Sequence, residues 1–94
     1  MESNVLYLWL INQNEMNITI KVTPLKDWAI IDYETGDVIC LESTETNATD
    51  KVDDLELLTG FEHLLIPSSQ LLPSQITQCM NDMKLSCEFR YQLI

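Results

Sequence analysis

Carboxylates are the groups through which this chain has most scope to act. Between Asp27 and Glu62 there are eleven: Asp27, Asp32, Glu34, Asp37, Glu42, Glu45, Asp50, Asp53, Asp54, Glu56 and Glu62. Only Lys51 opposes them, so the stretch carries a net charge of −10, which is the net charge of all 94 residues. Outside it, Glu2, Glu15, Asp82 and Glu88 balance Lys21, Lys26, Lys84 and Arg90. Carboxylates at this density can work as acid–base pairs, as cation ligands, or as a negative surface for a basic partner.

The first two uses find little support in the spacing. Acid–acid pairs are so abundant that no single pair is marked for catalysis. Asp50-Lys51-Val52-Asp53-Asp54 lacks the ligand spacing and central glycine of a helix–loop–helix calcium loop. A metal site of the zinc type needs closely spaced Cys and His, and Cys40, Cys79 and Cys87 are far apart, with His63 the lone histidine. The three thiols fall in apolar surroundings, where cysteine serves as a small hydrophobe, and nothing marks one as an activated nucleophile. No serine occupies a Gly-x-Ser-x-Gly elbow, and two glycines do not build a phosphate-cradling loop. The expectation is a protein that is not an enzyme, with no cofactor and no metal. The opposing hypothesis, an enzyme using His63, predicts that His63→Ala abolishes an activity while the fold stays intact.

The third use fits best. Opposite potentials speed encounter and fix orientation, so an acidic surface suits a basic protein partner. The candidate partner-binding residues are Asp32, Glu34, Asp37, Glu42, Glu45, Asp50, Asp53 and Asp54, with Tyr33 as an aromatic anchor. If Asp32 and Glu34 share a strand, they lie about 6.6–6.8 Å apart on one face and present paired charge as a nucleic-acid backbone does. Direct binding of nucleic acid is not expected, because phosphate contacts require Lys and Arg and the five basic residues are scattered. The alternative is that the acids only keep the protein soluble.

In size, acidity and single-domain build the chain is similar to small bacterial immunity proteins and to phage-encoded inhibitors of host defence nucleases. The likeness is one of composition and maps no residue. It implies an inhibitor that lays its acidic surface over the basic cleft of a toxin or nuclease. A non-catalytic adaptor or assembly subunit, docking through a sheet edge or an apolar face with the charge merely solubilising, is the other protein-binding reading.

These carboxylates need a scaffold, and the hydropathy pattern outlines one. A chain of 94 residues suits a single domain, 1–94, with one modest core. The apolar run Val5–Ile11 reads as a central strand covered on both faces. Ile18, Ile20 and Val22 alternate with Thr19, Lys21 and Thr23 as a half-buried strand ending at Pro24, joined to the first by a loop of about five residues. Trp28–Tyr33 and Val38–Leu41 form a second hairpin around Glu34-Thr35-Gly36-Asp37, and the four segments together read as an antiparallel meander.

From Glu42 to Asp54 the chain reads as a polar loop leading into one or two helical turns at Leu55, Leu57 and Leu58, stopped by Gly60. Phe61–Ile66, ending at Pro67, fits a short strand, with helix as the alternative that its pattern leaves open. Ile76, Cys79, Met80 and Met83 fall at helical spacing after a start at Pro73 or Ser74, predicting a helix over 74–84. Leu85, Cys87, Phe89, Tyr91 and Leu93 alternate strictly with polar residues, predicting a C-terminal strand. The expected fold is α+β: an antiparallel, or mixed, sheet of about five or six strands with one main helix on one face. No apolar run approaches the length of a membrane-spanning helix and no secretion signal precedes Val5, so the expected location is the cytoplasm, away from membranes.

Overall fold

The computed structural model describes residues 7–13 and 16–93, with side-chain environments from Thr19 onward. It is an α+β structure in which six strands divide between two antiparallel three-stranded sheets. The first sheet has the order β1-β2-β6, with β1 at Tyr7–Gln13, β2 at Met16–Pro24 and β6 at Phe89–Leu93. The second has the order β4-β3-β5, with β3 at Trp28–Asp32, β4 at Val38–Glu42 and β5 at His63–Pro67. Helix α1, Glu45–Thr59, joins β4 to β5, and helix α2, Pro73–Met80, precedes β6.

The single sheet and the continuous meander expected from sequence are therefore corrected. Pro24 has no N–H to continue a ladder on that side, and it ends β2 opposite Phe89. The chain then crosses through Leu25–Asp27 and starts a new sheet at Trp28. The second edge of β2 is taken by the C-terminal strand, with Val22 opposite Tyr91 and Ile20 opposite Leu93. This leaves β1 at the edge of its sheet rather than at the centre. Gln13 lies opposite Met16, so the first hairpin is also tighter than the five-residue loop expected. Val5 and Leu6 of the apolar run lie outside the described residues.

The second sheet is covered on both faces. Ala29, Ile30 and Ile31 of β3 are all buried, and successive strand residues point to opposite sides. Ala29 and Ile31 join a core with Val22, Val38, Leu41, Leu71, Ile76, Cys79, Leu85 and Phe89. That core lies between the second sheet, α2 and strands β2 and β6 of the first sheet. Ile30 lies outside this cluster and faces the side covered by α1, which packs across β3, β4 and β5 and buries Ala48.

Helix α1 is longer than the two turns expected. Thr44 accepts the Asn47 N–H at 3.1 Å as its N-cap, and Glu45 places a negative charge at the positive pole of the first turn. The helix then runs 15 residues to Gly60, whose left-handed φ of 77° lets its N–H reach the Glu56 carbonyl at 2.9 Å.

Helix α2 is shorter than expected. Pro73 opens it, and the Gln75 side chain accepts the free Leu72 N–H at 2.8 Å. It stops at Met80 because the Asp82 carboxylate takes the N–H groups of Lys84 and Leu85 at 2.8 and 3.0 Å, offering the backbone an alternative to further helix. Met83, expected on the apolar face, is left exposed. A 3₁₀ turn at Ser86–Glu88 replaces the first half of the expected C-terminal strand. Within β6 only Phe89 is buried; Tyr91 and Leu93 lie on an edge strand and remain exposed.

The two-sided burial sets a contrast between residues of similar size. Ile76→Ala is expected to cost about 2–5 kcal/mol through the cavity it leaves in the core, whereas exposed Leu57→Ala changes stability by no more than about 0.5 kcal/mol. Urea unfolding of the two variants checks this through the shift in midpoint at constant slope.

Candidate functional site

The sequence-derived acidic residues fall in three places. Asp32, Tyr33, Glu34 and Asp37 cluster at the β3–β4 turn. Asp50, Asp53 and Asp54 are exposed along α1, with the inward stripe formed by Ala48, Val52 and Leu55. Spacings of three and four residues put Asp50, Asp53, Asp54 and Leu57 on one outward face. Glu42 and Glu45, at the end of β4 and the start of α1, lie at the opposite end of the second sheet. The helix spans about 21 Å at 1.5 Å per residue, so these two are separated from the turn by most of its length.

The C-terminal end of α1 returns to the turn. The Tyr33 N–H donates to the Glu62 carbonyl at 3.1 Å, Asp32 pairs with His63 across β3 and β5, and the His63 N–H donates to Glu56 Oε2 at 2.9 Å. Glu56 and Glu62, absent from the candidate set, therefore belong beside Asp32, Tyr33, Glu34 and Asp37. Ten of the eleven acids of the central stretch lie on the second sheet, α1 and their connecting segments, Asp27 lies in the crossover between the sheets, and none lies on the first sheet or α2.

Asp32 has a local task. Its carboxylate accepts the N–H groups of Glu34 and Thr35 at 2.8 and 3.1 Å, while Gly36, at a φ of 79°, donates to the Asp32 carbonyl at 2.9 Å. The strand ends at Asp32 and Glu34 lies in the turn, so the strand-spaced pair of charges expected from sequence does not form. The Thr35 N–H, then that of Glu34, stabilises the ionised carboxylate and lowers the Asp32 pKa below its ordinary value, with His63 adding a smaller effect in the same direction and desolvation opposing. The turn is tied to α2 by Gln75, whose amide donates to the Gly36 carbonyl at 2.8 Å.

Gln78 holds the neighbouring strand. Its side-chain oxygen accepts the Val38 N–H at 2.7 Å and its nitrogen donates to the Val38 carbonyl at 3.1 Å, as a strand partner would. Beyond this point β4 is an edge. Ile30 faces Cys40 and Ile31 faces Val38, so Ile39 is bulged. The Asp32 N–H points to Asp37; stepping by twos, Ile30 and Trp28 also point at β4, and Leu41 turns its own N–H and C=O outward. A groove of about 640 Å³ runs along this edge, with Lys51 and Leu55 on one wall and Asp82, Lys84 and Leu85 on the other.

Apolar surface accompanies the acids. Leu57 and Leu58 are 87% and 83% exposed, and Phe61 and Tyr33 are 57% and 58% exposed. The sequence reading placed Leu55, Leu57 and Leu58 in one or two helical turns and named no face; the inward stripe is Ala48, Val52 and Leu55, and Leu57 and Leu58 fall outside it.

Among the described residues no group of three or more His, Cys, Asp or Glu is arranged to hold a metal ion, and no helix is long and apolar enough to cross a membrane. Burial, with Asp82 adding to it, pushes the Cys79 thiol up to about 11, and burial followed by the charge of Glu42 raises that of Cys40. Both are poor nucleophiles at neutral pH. The His63 ring nitrogen Nδ1 lies 3.0 Å from the Phe61 carbonyl. No family model, no curated protein and no solved structure matches the chain.

Two outcomes follow for these side chains. NMR titration of the Asp32 carboxyl is expected to give a pKa below the ordinary aspartate value. Because the folded value is depressed, its contribution to stability is complete above the unfolded pKa and is lost as pH falls through the folded one. Asp32→Asn should remove that part of the acid dependence. Alkylation under native conditions should label exposed Cys87 and spare buried Cys79 until unfolding; mass spectrometry of the labelled peptides reads this directly.

Proposed function

We propose that this protein is a non-catalytic inhibitor that binds a basic protein, of the immunity or antitoxin type, and covers the substrate cleft of a nuclease or similar toxin. The observation that carries this reading is the segregation of charge. The second sheet with α1 and their connections, residues 28–67, carries ten acids against Lys51, a net −9, while the rest of the chain sums to −1. A layer of this kind attracts a basic cleft at long range, and salt weakens it as screening shortens to about 8 Å at physiological ionic strength. A phage-encoded inhibitor of a host defence nuclease, acting as a nucleic-acid mimic, uses the same surface. In either case Asp50, Asp53 and Asp54 face the partner from α1, and Glu34, Asp37 and Tyr33 face it from the turn. Asp32 shapes that turn in addition to adding charge.

A second reading has its own support. Among the described residues no strand pairs with the outer edge of β4 at Leu41, and this edge with the groove beside it suits an adaptor that accepts an extended segment. The two readings differ in what charge does. The basic partner is isolated by affinity capture, and binding is then measured from low to high salt. For the inhibitor, affinity falls tenfold or more over about a tenfold rise in salt, mainly through the association rate. Reversal of Glu45, Asp50 and Asp53 to Lys abolishes the interaction. An adaptor retains its partner after that reversal, and affinity indifferent to salt removes the inhibitor reading.

A further inference from the structure

Two features at the C-terminal end of α1 work against folding, and they coincide. One is apolar. Leu57, Leu58 and Phe61, within the last turn and just past the Gly60 cap, are exposed by more than half, so the folded chain gains little from three large hydrophobic side chains. The other is electrostatic. The C-terminus of a helix is its negative pole and favours cations, yet the last turn of α1 holds no basic residue. Glu56 lies in that turn, Asp53 and Asp54 lie in the turn before it, and Glu62 follows two residues past Gly60. Among the described residues no donor reaches the carbonyls of Leu57, Leu58 or Thr59.

Both conflicts are relieved by one kind of ligand. We infer that this end of α1 is the anchor for a cationic amphipathic segment of the partner protein. Its apolar residues cover Leu57, Leu58 and Phe61. Its Lys or Arg side chains donate to the free carbonyls and pair with Asp53, Asp54 and Glu62. This deepens the inhibitor reading and rests on it. Charge selects this occupant over others. A second copy brings another net −10 and, in a two-fold contact, sets the same carboxylates against one another. Anionic lipid headgroups and nucleic acid are repelled for the same reason.

The test uses the ¹⁵N-labelled protein and two synthetic peptides of equal positive charge. One carries Leu and Lys at amphipathic helical spacing; the other has each Leu replaced by Ser. The amphipathic peptide is expected to shift the amides of residues 53–62 and to bind about tenfold more tightly or better, the scale that burying one or two leucine side chains provides. Leu57→Ala with Leu58→Ala should erase that advantage and leave the salt dependence unchanged. Both positions are exposed, and circular dichroism confirms that the double variant folds. Equal affinity of the two peptides with strong salt dependence overturns the anchor and leaves the acidic surface standing. No binding of either peptide overturns both readings. Shifts centred elsewhere overturn the anchor, as do a native dimer in sedimentation that the double variant dissolves and binding to anionic vesicles.

Discussion

Burial of β3 from both sides is the constraint on which the rest of this structure depends. Its consecutive residues Ala29, Ile30 and Ile31 are removed from water, and alternation along the strand requires apolar cover on each face. The core with α2, Val22 and Phe89 covers one face. Among the described residues α1 covers the other, running across the second sheet with Ala48 inward. Its outward face is then committed to solvent. The carboxylates of the central stretch thus end up on one layer because the helix that carries many of them is the lid on Ile30.

That placement has an electrostatic consequence. Repulsion among solvent-exposed carboxylates is modest at each pair but acts at every pair within a Debye length. Little on the same layer offsets it: Lys51 is the one basic residue of the stretch, and it lines the groove beside β4. The ion pair between Lys26 and Glu88, 3.1 Å apart, joins groups about one-third exposed, a setting where such pairs contribute about 0–1 kcal/mol. It also lies at the junction with the balanced half of the molecule. The N-terminus of α1 is matched to its charge through Glu45 and the Thr44 cap, whereas the C-terminus is mismatched. Gly60 caps the helix by geometry but nothing offsets the charge at that end, so packing on the second sheet contributes to its stability and its outer surface is left free to answer to something other than folding.

Local signals in the sequence were legible where they act through near neighbours. Pro24, Gly36 and Pro73 mark a strand end, a turn and a helix start for reasons of φ and missing N–H groups, and each has that role in the structure. The strands at Trp28–Asp32 and Val38–Glu42 likewise follow from short apolar runs, whereas His63–Pro67, too short to show a period, was open between helix and strand. Pairing across the chain was not legible: nothing in Tyr91 or Leu93 indicates Val22 and Ile20 as their partners, so one sheet was expected where there are two. The first turns of α1 were missed because Thr46, Asn47, Thr49 and Asp50 are poor helix formers. Their helix is made by a cap and by tertiary contact. The acidic concentration was legible as a count, but its division between the turn and α1, and the distance of Glu42 and Glu45 from that turn, came only with the register and helix length.

The mixture of charge and apolar surface at one helix end has a kinetic logic that neither component supplies alone. Carboxylates spread over about 20 Å of helix raise the rate of encounter with a basic surface, but exposed charge pairs are screened and hold a complex weakly. Apolar side chains act only at contact, where removing them from water slows dissociation. On the inhibitor reading proposed above, repulsion between copies would keep Leu57 and Leu58, beside Asp53 and Asp54, from self-association, so the charge that would attract a basic partner would also protect the apolar anchor. Moving the leucines to the balanced half of the molecule, beside Lys84 or Arg90, would remove that protection. On the acidic layer an exposed apolar pair can persist without being an aggregation hazard.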